Sequence, residues 1–219
     1  MKIWNLLLAL LILGISFFTL VKSDIKDRID ALTIKHISYS TVVVLDQVGS
    51  GLYLAKCAGV WIGEYYFLTA NHCLDNGVEV VYQVYGVEDG LQLGMYDRGY
   101  SGVVLKVDSD LDLALVMGIG GDHGVVTLGT GGVVGDKVWG LGHPNLYTYT
   151  LVEGMLSGRR HLRDGAIVWQ VDGNIGPGDS GGGLFNLDGK LLGICSFINL
   201  QGARFGFFVA NDSIKQFLQ

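Results

Sequence analysis

The sequence predicts an all-β protein of two packed, six-stranded antiparallel β-barrels, with an apolar helix at the N-terminus and a short helix at the C-terminus. Two observations support this fold class. Short runs rich in Val and Leu alternate with glycines, of which the chain has 34 in 219 residues, and this pattern is typical of strands joined by tight turns. The runs form two sets of six or seven on either side of a Gly-rich connector at residues 118–124, and each set suffices for one barrel.

The N-terminal part of the chain differs from the rest. Residues 3–21 are almost entirely apolar, and a stretch of this length is at the lower edge of what spans a bilayer. We therefore expect residues 1–23 to be a signal peptide or a membrane anchor. Apolar residues at helical spacing in 24–39 indicate a short helix or stalk. Basic residues after the apolar stretch favour a cytoplasmic position for the rest of the chain. The cysteine pair described below favours the opposite side, so the membrane orientation stays open.

The strand-rich part is predicted to occupy residues 40–219. The first barrel spans about 40–118 and has runs at 41–45, 51–56, 58–62, 66–70, 78–85, 102–107 and 112–117. The second spans about 125–210 and has runs at 125–128, 137–141, 148–156, 166–171, 182–186, 191–197 and 204–209. A helix is expected from Asn211, the predicted N-cap, to the end of the chain.

Composition excludes several classes of function. The net charge is −6 and no cluster of basic residues occurs, which argues against a nucleic-acid-binding surface. No Gly-x-Gly-x-x-Gly follows a predicted strand, and the Cys and His residues lack metal-site spacing. We therefore expect no cofactor and no metal.

A glycine-rich stretch at 176–183 surrounds a single hydroxyl nucleophile, Ser180. Such a loop can aim successive N–H groups at one point, as acyl transfer requires where an oxyanion develops. A candidate base, His72, follows an apolar run within Thr-Ala-Asn-His-Cys, and a candidate acid, Asp112, opens the run Asp-Leu-Ala-Leu-Val. The order His, Asp, Ser is that of chymotrypsin-type triads.

These motifs resemble the trypsin-like serine peptidases of the chymotrypsin-fold superfamily, and within them the HtrA (Deg) branch. The matching stretches are 69–73, 112–115, 178–182, 187–194 and 204–209, and the likeness covers roughly residues 40–219. It implies a serine endopeptidase that hydrolyses protein or peptide substrates through an acyl-enzyme. HtrA proteins often trimerise, which leaves a homo-oligomer open. Many carry PDZ domains, but we expect none here because only 39 residues follow Ser180.

The resemblance assigns roles to particular residues. Ser180 is the nucleophile, and His72 is the base that later protonates the leaving amine. Asp112 orients the imidazole, with Asp110 as the alternative because acids alternate along this predicted strand. The backbone N–H groups of Gly178 and Ser180 form the oxyanion hole.

One residue departs from the HtrA pattern. Asp179 stands where HtrA proteins usually have Asn, and in trypsin-like zymogens an Asp there pairs with a newly freed N-terminus. A latent or inactive fold that acts as a membrane-anchored binding protein is therefore the alternative hypothesis.

The resemblance also locates a specificity pocket, walled by residues 174–175, 196–198 and 206. Asn174 is uncharged where trypsin has an acid, and Ile198 replaces a pocket-opening Gly, so a preference for small or medium aliphatic residues is expected. Gly206 completes the wall. The Ser196 hydroxyl is expected to hydrogen-bond Asp112, and residues 196–198 to pair with the substrate backbone.

Cys57 and Cys73 lie 16 residues apart, the spacing of the disulfide beside the catalytic histidine in chymotrypsin-like enzymes. Two buried free thiols are the alternative. Cys195 is left over as a small core residue. A disulfide indicates an oxidising compartment, so the catalytic domain is expected outside the cytoplasm, secreted or anchored through residues 3–21.

Overall fold

The computed structural model describes residues 2–74, 79–86, 94–162, 165–199 and 205–219. It falls into two compact units, Met1–Lys35 and His36–Gln219. Helix α1 spans Lys2–Tyr39 and is continuous across residue 23. Over the residues placed in the structure, none of the helices has both the length and the apolarity that crossing a membrane demands.

The first barrel is a closed antiparallel sheet in the order β1-β4-β6-β7-β3-β2, completed by the β1–β2 pair, with β5 added on β2. Its strands are β1 (Thr41–Gly49), β2 (Leu52–Gly63), β3 (Tyr66–Ala70), β4 (Glu79–Val84), β5 (Met95–Tyr96), β6 (Tyr100–Asp108) and β7 (Leu113–Gly118). The interior is aromatic: the ring of Trp61 lies 5.0 Å from Phe67 and 5.6 Å from Tyr82, measured between centroids.

Strand β2 is one long strand where the sequence predicts two. Val44 pairs with Cys57 and Leu45 with Ala55, so Lys56 between them is a bulge. An extra residue in one strand bends it and increases its twist, which lets a single strand turn around the barrel.

The second barrel is closed in the order β10-β13-β12-β11-β8-β9. Its strands are β8 (Lys137–Gly142), β9 (Thr150–His161), β10 (Ile167–Asp172), β11 (Gly183–Phe185), β12 (Leu191–Asn199) and β13 (Phe205–Ala210). The predicted run at 125–128 contributes only a parallel bridge between Leu128 and Leu191. The predicted two-barrel fold is confirmed. Residues 78 and 204, where two predicted strands begin, lie outside the described residues.

The predicted cap of the C-terminal helix is wrong. Helix α2 spans Asn211–Phe217 with Ala210 as its N-cap, and no side chain caps it. Asn211 is instead fully buried, and its Nδ2 donates a hydrogen bond to the carbonyl of Gly129 at 2.8 Å. The amide therefore ties the helix to the segment that leads into the second barrel.

The barrels contact each other through backbone hydrogen bonds. The N–H of Ala58, on β2, donates to the carbonyl of Ser180 at 2.7 Å, and the N–H of Val126 donates to the carbonyl of Trp61 at 3.0 Å. Ser180 lies in the loop 173–182 between β10 and β11, which we call the serine loop. The first of these bonds places this loop of the second barrel against the first barrel.

Candidate active site

His72 and Asp112 form a hydrogen-bonded pair at one end of the first barrel. Strand β3 ends at Ala70, and a short 3-10 helix, Asn71–Cys73, carries the histidine. His72 Nδ1 lies 2.8 Å from Asp112 Oδ2, and the His72 backbone N–H donates to Oδ1 at 3.0 Å. Because the carboxylate accepts at Nδ1, the proton resides there, and in the neutral ring Nε2 keeps the lone pair that a general base needs.

Asp112 lies in the turn before β7, with φ at +54°. Aspartate tolerates this left-handed conformation better than most residues, and the Asn71 N–H donates to the Asp112 carbonyl at 3.1 Å. The interpretation that the acids alternate along one strand is wrong, because the strand ends at Asp108. Asp108 Oδ1 accepts the N–H of Asp110 at 3.0 Å, and Asp110 itself is exposed.

Asp112 is held ionised by its hydrogen bonds. Burial raises its pKa, but the bonds from the His72 ring, the Ser196 hydroxyl and the His72 N–H outweigh burial and bring the pKa below its ordinary value. The Ser196 Oγ–H donates to Oδ2 at 2.6 Å. The carboxylate is therefore available to stabilise an imidazolium.

A disulfide fastens this end of the barrel. Cys73 follows His72 directly and is joined to Cys57 of β2, with the sulfur atoms 2.04 Å apart and both residues buried. The sulfur atoms lie near the His72 ring, but within a disulfide they offer no thiolate for a metal. Cys195 is a free thiol in the second core, and burial raises its pKa well above the ordinary value.

The serine loop connects β10 to β11 and is pressed against the first barrel. Besides the bond from Ala58 to the Ser180 carbonyl, the Gly181 N–H donates to the Cys195 carbonyl at 2.7 Å. Gly181 has φ at +78°, and a Cβ there would lie 2.1 Å from the Ala58 carbonyl oxygen, so only glycine fits. Among the hydrogen bonds of the described residues, none joins Ser180 Oγ to the His72 ring.

Two N–H groups of this loop are free to bind an anion. The Pro177 carbonyl accepts the N–H of Asn145 at 2.9 Å, and the Gly178 carbonyl accepts the N–H of His143 at 3.3 Å. In a planar trans peptide the N–H points opposite to the carbonyl, so the Gly178 N–H points away from Asn145. Within the described part of the chain, neither this N–H nor that of Ser180 donates to a protein acceptor. Such a pair can receive a developing oxyanion.

Asp179 turns inward between these two donors. Its side chain is buried, its Oδ2 accepts the N–H of Gly176 at 2.8 Å, and no cationic side chain of the described ranges pairs with it. Burial raises the pKa of Asp179 to about 6, against a smaller lowering by the Gly176 N–H. The cationic partner that this residue has in activated trypsin-like enzymes therefore has no counterpart here among the described residues.

The expected pocket residues are partly brought together. Strand pairing places Ile198 opposite Gly206, although the Ile198 side chain lies outside the described residues. Asn174 is exposed at the start of the loop. A Cβ on Gly206 would lie 2.6 Å from Ile175 Cγ1, so the buried Ile175 side chain fills the space above this glycine.

Sequence reasoning missed the segment that holds the serine loop. His143 follows strand β8 directly and Asn145 comes two residues later. Their N–H groups donate to the carbonyls of Gly178 and Pro177, respectively. The available signal was the dipeptide His143-Pro144 after an apolar run, which predicts a turn but gives no indication of its contacts.

Comparison with known proteins identifies the family of this chain. Residues 49–194 match the family described as the trypsin-like peptidase domain. A probable periplasmic serine endoprotease DegP-like of Marinomonas sp. (strain MWYL1) is 34% identical over 165 residues, which are 73% of this chain and 31% of that protein. Human serine protease HTRA4 is 28% identical over 188 residues, 81% of this chain and 38% of that protein. The chain thus spans about a third of the length of these relatives.

Solved structures share the fold. The active form of the Rv3671c protease from M. tuberculosis superimposes with a TM-score of 0.71 at 18% identity, covering 85% of this chain and 82% of that one. A serine endoprotease from Yersinia pestis gives a TM-score of 0.69 at 20% identity, covering 85% and 64%. Because the family model matches residues 49–194, more than half of the chain, the chain belongs to the family of trypsin-like peptidase domains.

Proposed function

We propose that this chain is a serine endopeptidase with His72, Asp112 and Ser180 as its catalytic triad. Ser180 Oγ attacks the carbonyl carbon of a peptide bond while His72 Nε2 takes the hydroxyl proton. His72 then gives this proton to the leaving amine. A water molecule, activated by His72 in the same way, hydrolyses the acyl-enzyme. Asp112 remains ionised throughout and holds the ring.

One observation carries the proposal: a continuous hydrogen-bonded chain from the Ser196 hydroxyl through Asp112 to His72, next to a glycine loop with two free N–H groups. A fold kept only for binding needs neither an oriented imidazole nor convergent donors. Loss of one such donor typically reduces the rate by about a hundredfold to a thousandfold.

The residues at the expected pocket support a proposal for the substrate class. Ile175 fills the space above Gly206, and the neighbouring Asn174 brings no negative charge. We propose that the enzyme prefers small or medium aliphatic side chains at the cleaved position, with modest selectivity, since one methylene changes binding by about 1–3 kcal/mol.

The compartment follows from the cysteine pair and the relatives. Disulfides persist in oxidising compartments, and the DegP-like relatives are named periplasmic. We place the barrels of this chain outside the cytoplasm.

The first test is labelling of the full chain by a fluorophosphonate, in mild detergent because α1 exposes many apolar side chains. The reagent needs an activated serine and a formed oxyanion hole but little side-chain specificity. We expect the wild type to be labelled and Ser180→Ala to be unlabelled. A folded wild type that resists the reagent and cleaves no peptide library would count against the proposal.

A matched pair of variants tests the acid. Asp112→Asn should lower kcat about ten-thousandfold, because it favours the wrong imidazole tautomer. Asp110→Asn removes an exposed acid two residues away and should leave kcat within about twofold. The reverse ranking would assign the orienting role to Asp110.

A further inference from the structure

We propose that His143 is a positioning residue that keeps the serine loop in the conformation that presents the Gly178 N–H to the oxyanion. The inference rests on the proposed peptidase function and adds a residue outside the triad. Three sets of contacts on the ring and backbone of this histidine, and backbone strain in the segment that follows it, support the inference.

The first set fixes the ring. His143 is fully buried, its Nδ1 lies 2.8 Å from the backbone N–H of Tyr149, and its Nε2 lies 3.1 Å from the carbonyl oxygen of Val42. A backbone N–H can only donate and a carbonyl can only accept. Nδ1 must therefore accept and Nε2 must carry the proton, so the ring is a neutral tautomer with both nitrogens engaged.

The second set of contacts shows which two parts of the fold the His143 ring connects. Val42 belongs to β1 of the first barrel, whereas Tyr149 lies just before β9 of the second. The Tyr149 ring packs edge-on against His143, with centroids 4.9 Å apart. The imidazole thus anchors the segment 143–149 to the barrel that carries the triad base and acid.

The third set runs from the backbone to the serine loop. The N–H groups of His143 and Asn145 hold the carbonyls of Gly178 and Pro177, at 3.3 Å and 2.9 Å. A Cβ on Gly178 would lie 2.3 Å from the His143 carbonyl oxygen, so the two backbones are in direct contact. These bonds fix both peptide planes that flank Gly178, and thereby the direction of its N–H.

The fourth observation is backbone strain in the segment 143–149. Of the four non-glycine residues with positive φ in the described ranges, three lie here: Asn145 at +50°, Leu146 at +70° and Tyr149 at +56°. Such conformations persist only where the surroundings enforce them. The hydrogen bond from Tyr149 to the His143 ring is one such restraint, so loss of the ring lets the segment relax and release the Pro177 carbonyl.

The test compares His143→Ala with His143→Asn in the full chain, with peptide hydrolysis and fluorophosphonate labelling as readouts. His143→Ala should lower kcat at least a hundredfold with KM within about threefold, since the oxyanion donor acts mainly in the transition state. His143→Asn places an amide oxygen near the position of Nδ1, where it can accept the Tyr149 N–H. It should therefore keep kcat within about tenfold of wild type.

The matched control is His123→Asn. His123 is also packed, stacked on Trp61 with ring centroids 3.8 Å apart, and no hydrogen bond or ring contact among the described residues joins it to the serine loop or to the segment 143–149. Its substitution should leave kcat within about twofold. Circular dichroism confirms that each variant is folded.

A second readout needs no activity. Amide hydrogen exchange of the peptide covering 174–182 should be at least tenfold faster in His143→Ala than in the wild type, and restored in His143→Asn. Unchanged exchange and unchanged kcat in the Ala variant would overturn the inference, as would an Asn variant no better than Ala. A wild type without labelling or hydrolysis refutes the peptidase proposal instead, and exchange alone then decides the role of His143.

Discussion

The buried carboxyl of Asp179 makes the free energy of unfolding depend on pH. Its side chain is 5% exposed and no described cation pairs with it. Burial raises its pKa from 3.8 to about 6, which corresponds to about 3 kcal/mol between its two protonation states. Because the folded state holds the proton more tightly, this carboxyl's stabilising contribution is full below pH 3.8 and is lost as pH rises through about 6.

Asp179→Asn removes this titration, while the amide oxygen can still accept the Gly176 N–H. We expect the difference in unfolding free energy, variant minus wild type, to increase by about 2.5 kcal/mol from pH 4 to pH 8. Urea unfolding of both proteins at pH 4, 5, 6 and 8 measures the difference, with Asp172→Asn, an exposed acid on β10, as the control. A difference that stays constant with pH would refute the reasoning, because it would mean that the buried carboxylate is charge-compensated.

Three further predictions concern the site. Ser196→Ala removes the hydroxyl bonded to Asp112 and should lower kcat/KM about tenfold, the size of one hydrogen bond to a charged group, with kcat/KM measured on a peptide ester. Reduction of the bond between Cys57 and Cys73, or Cys73→Ser, should lower the unfolding free energy by about 3 kcal/mol, as expected for a loop of this length; an unchanged urea midpoint would contradict this. Ile175→Ala should shift the preferred cleaved residue toward Leu and Phe in a peptide library, and an unaltered profile would place the pocket elsewhere.

Local patterns single out the three residues of the proposed triad. His72 follows one apolar run, Asp112 precedes another and Ser180 lies among glycines, so residue type and short-range spacing indicate their proposed roles. The ends of strands are where a chain leaves the sheet, and side chains there are free to meet across a barrel.

Contacts between distant residues could not be read from the sequence. Asn211 looks like a helix cap because Asn is among the residues preferred at the N-cap, yet its amide bonds a carbonyl 82 residues away. His143 shows the same limit, since its role depends on Val42, 101 residues earlier. Periodicity reports which face a residue occupies and not its partner on the neighbouring strand.

The bond from the Ala58 N–H to the Ser180 carbonyl has a consequence for synthesis. The proposed base and acid lie on the first barrel, whereas the proposed nucleophile and the two unpaired N–H groups beside it lie on the second. Domains generally fold in the order in which they leave the ribosome. A nascent chain that has emerged only as far as Gly124 thus holds a proton acceptor without a nucleophile. In the proposed peptidase, proteolytic capacity therefore arises only when the strands of the second barrel close on the first.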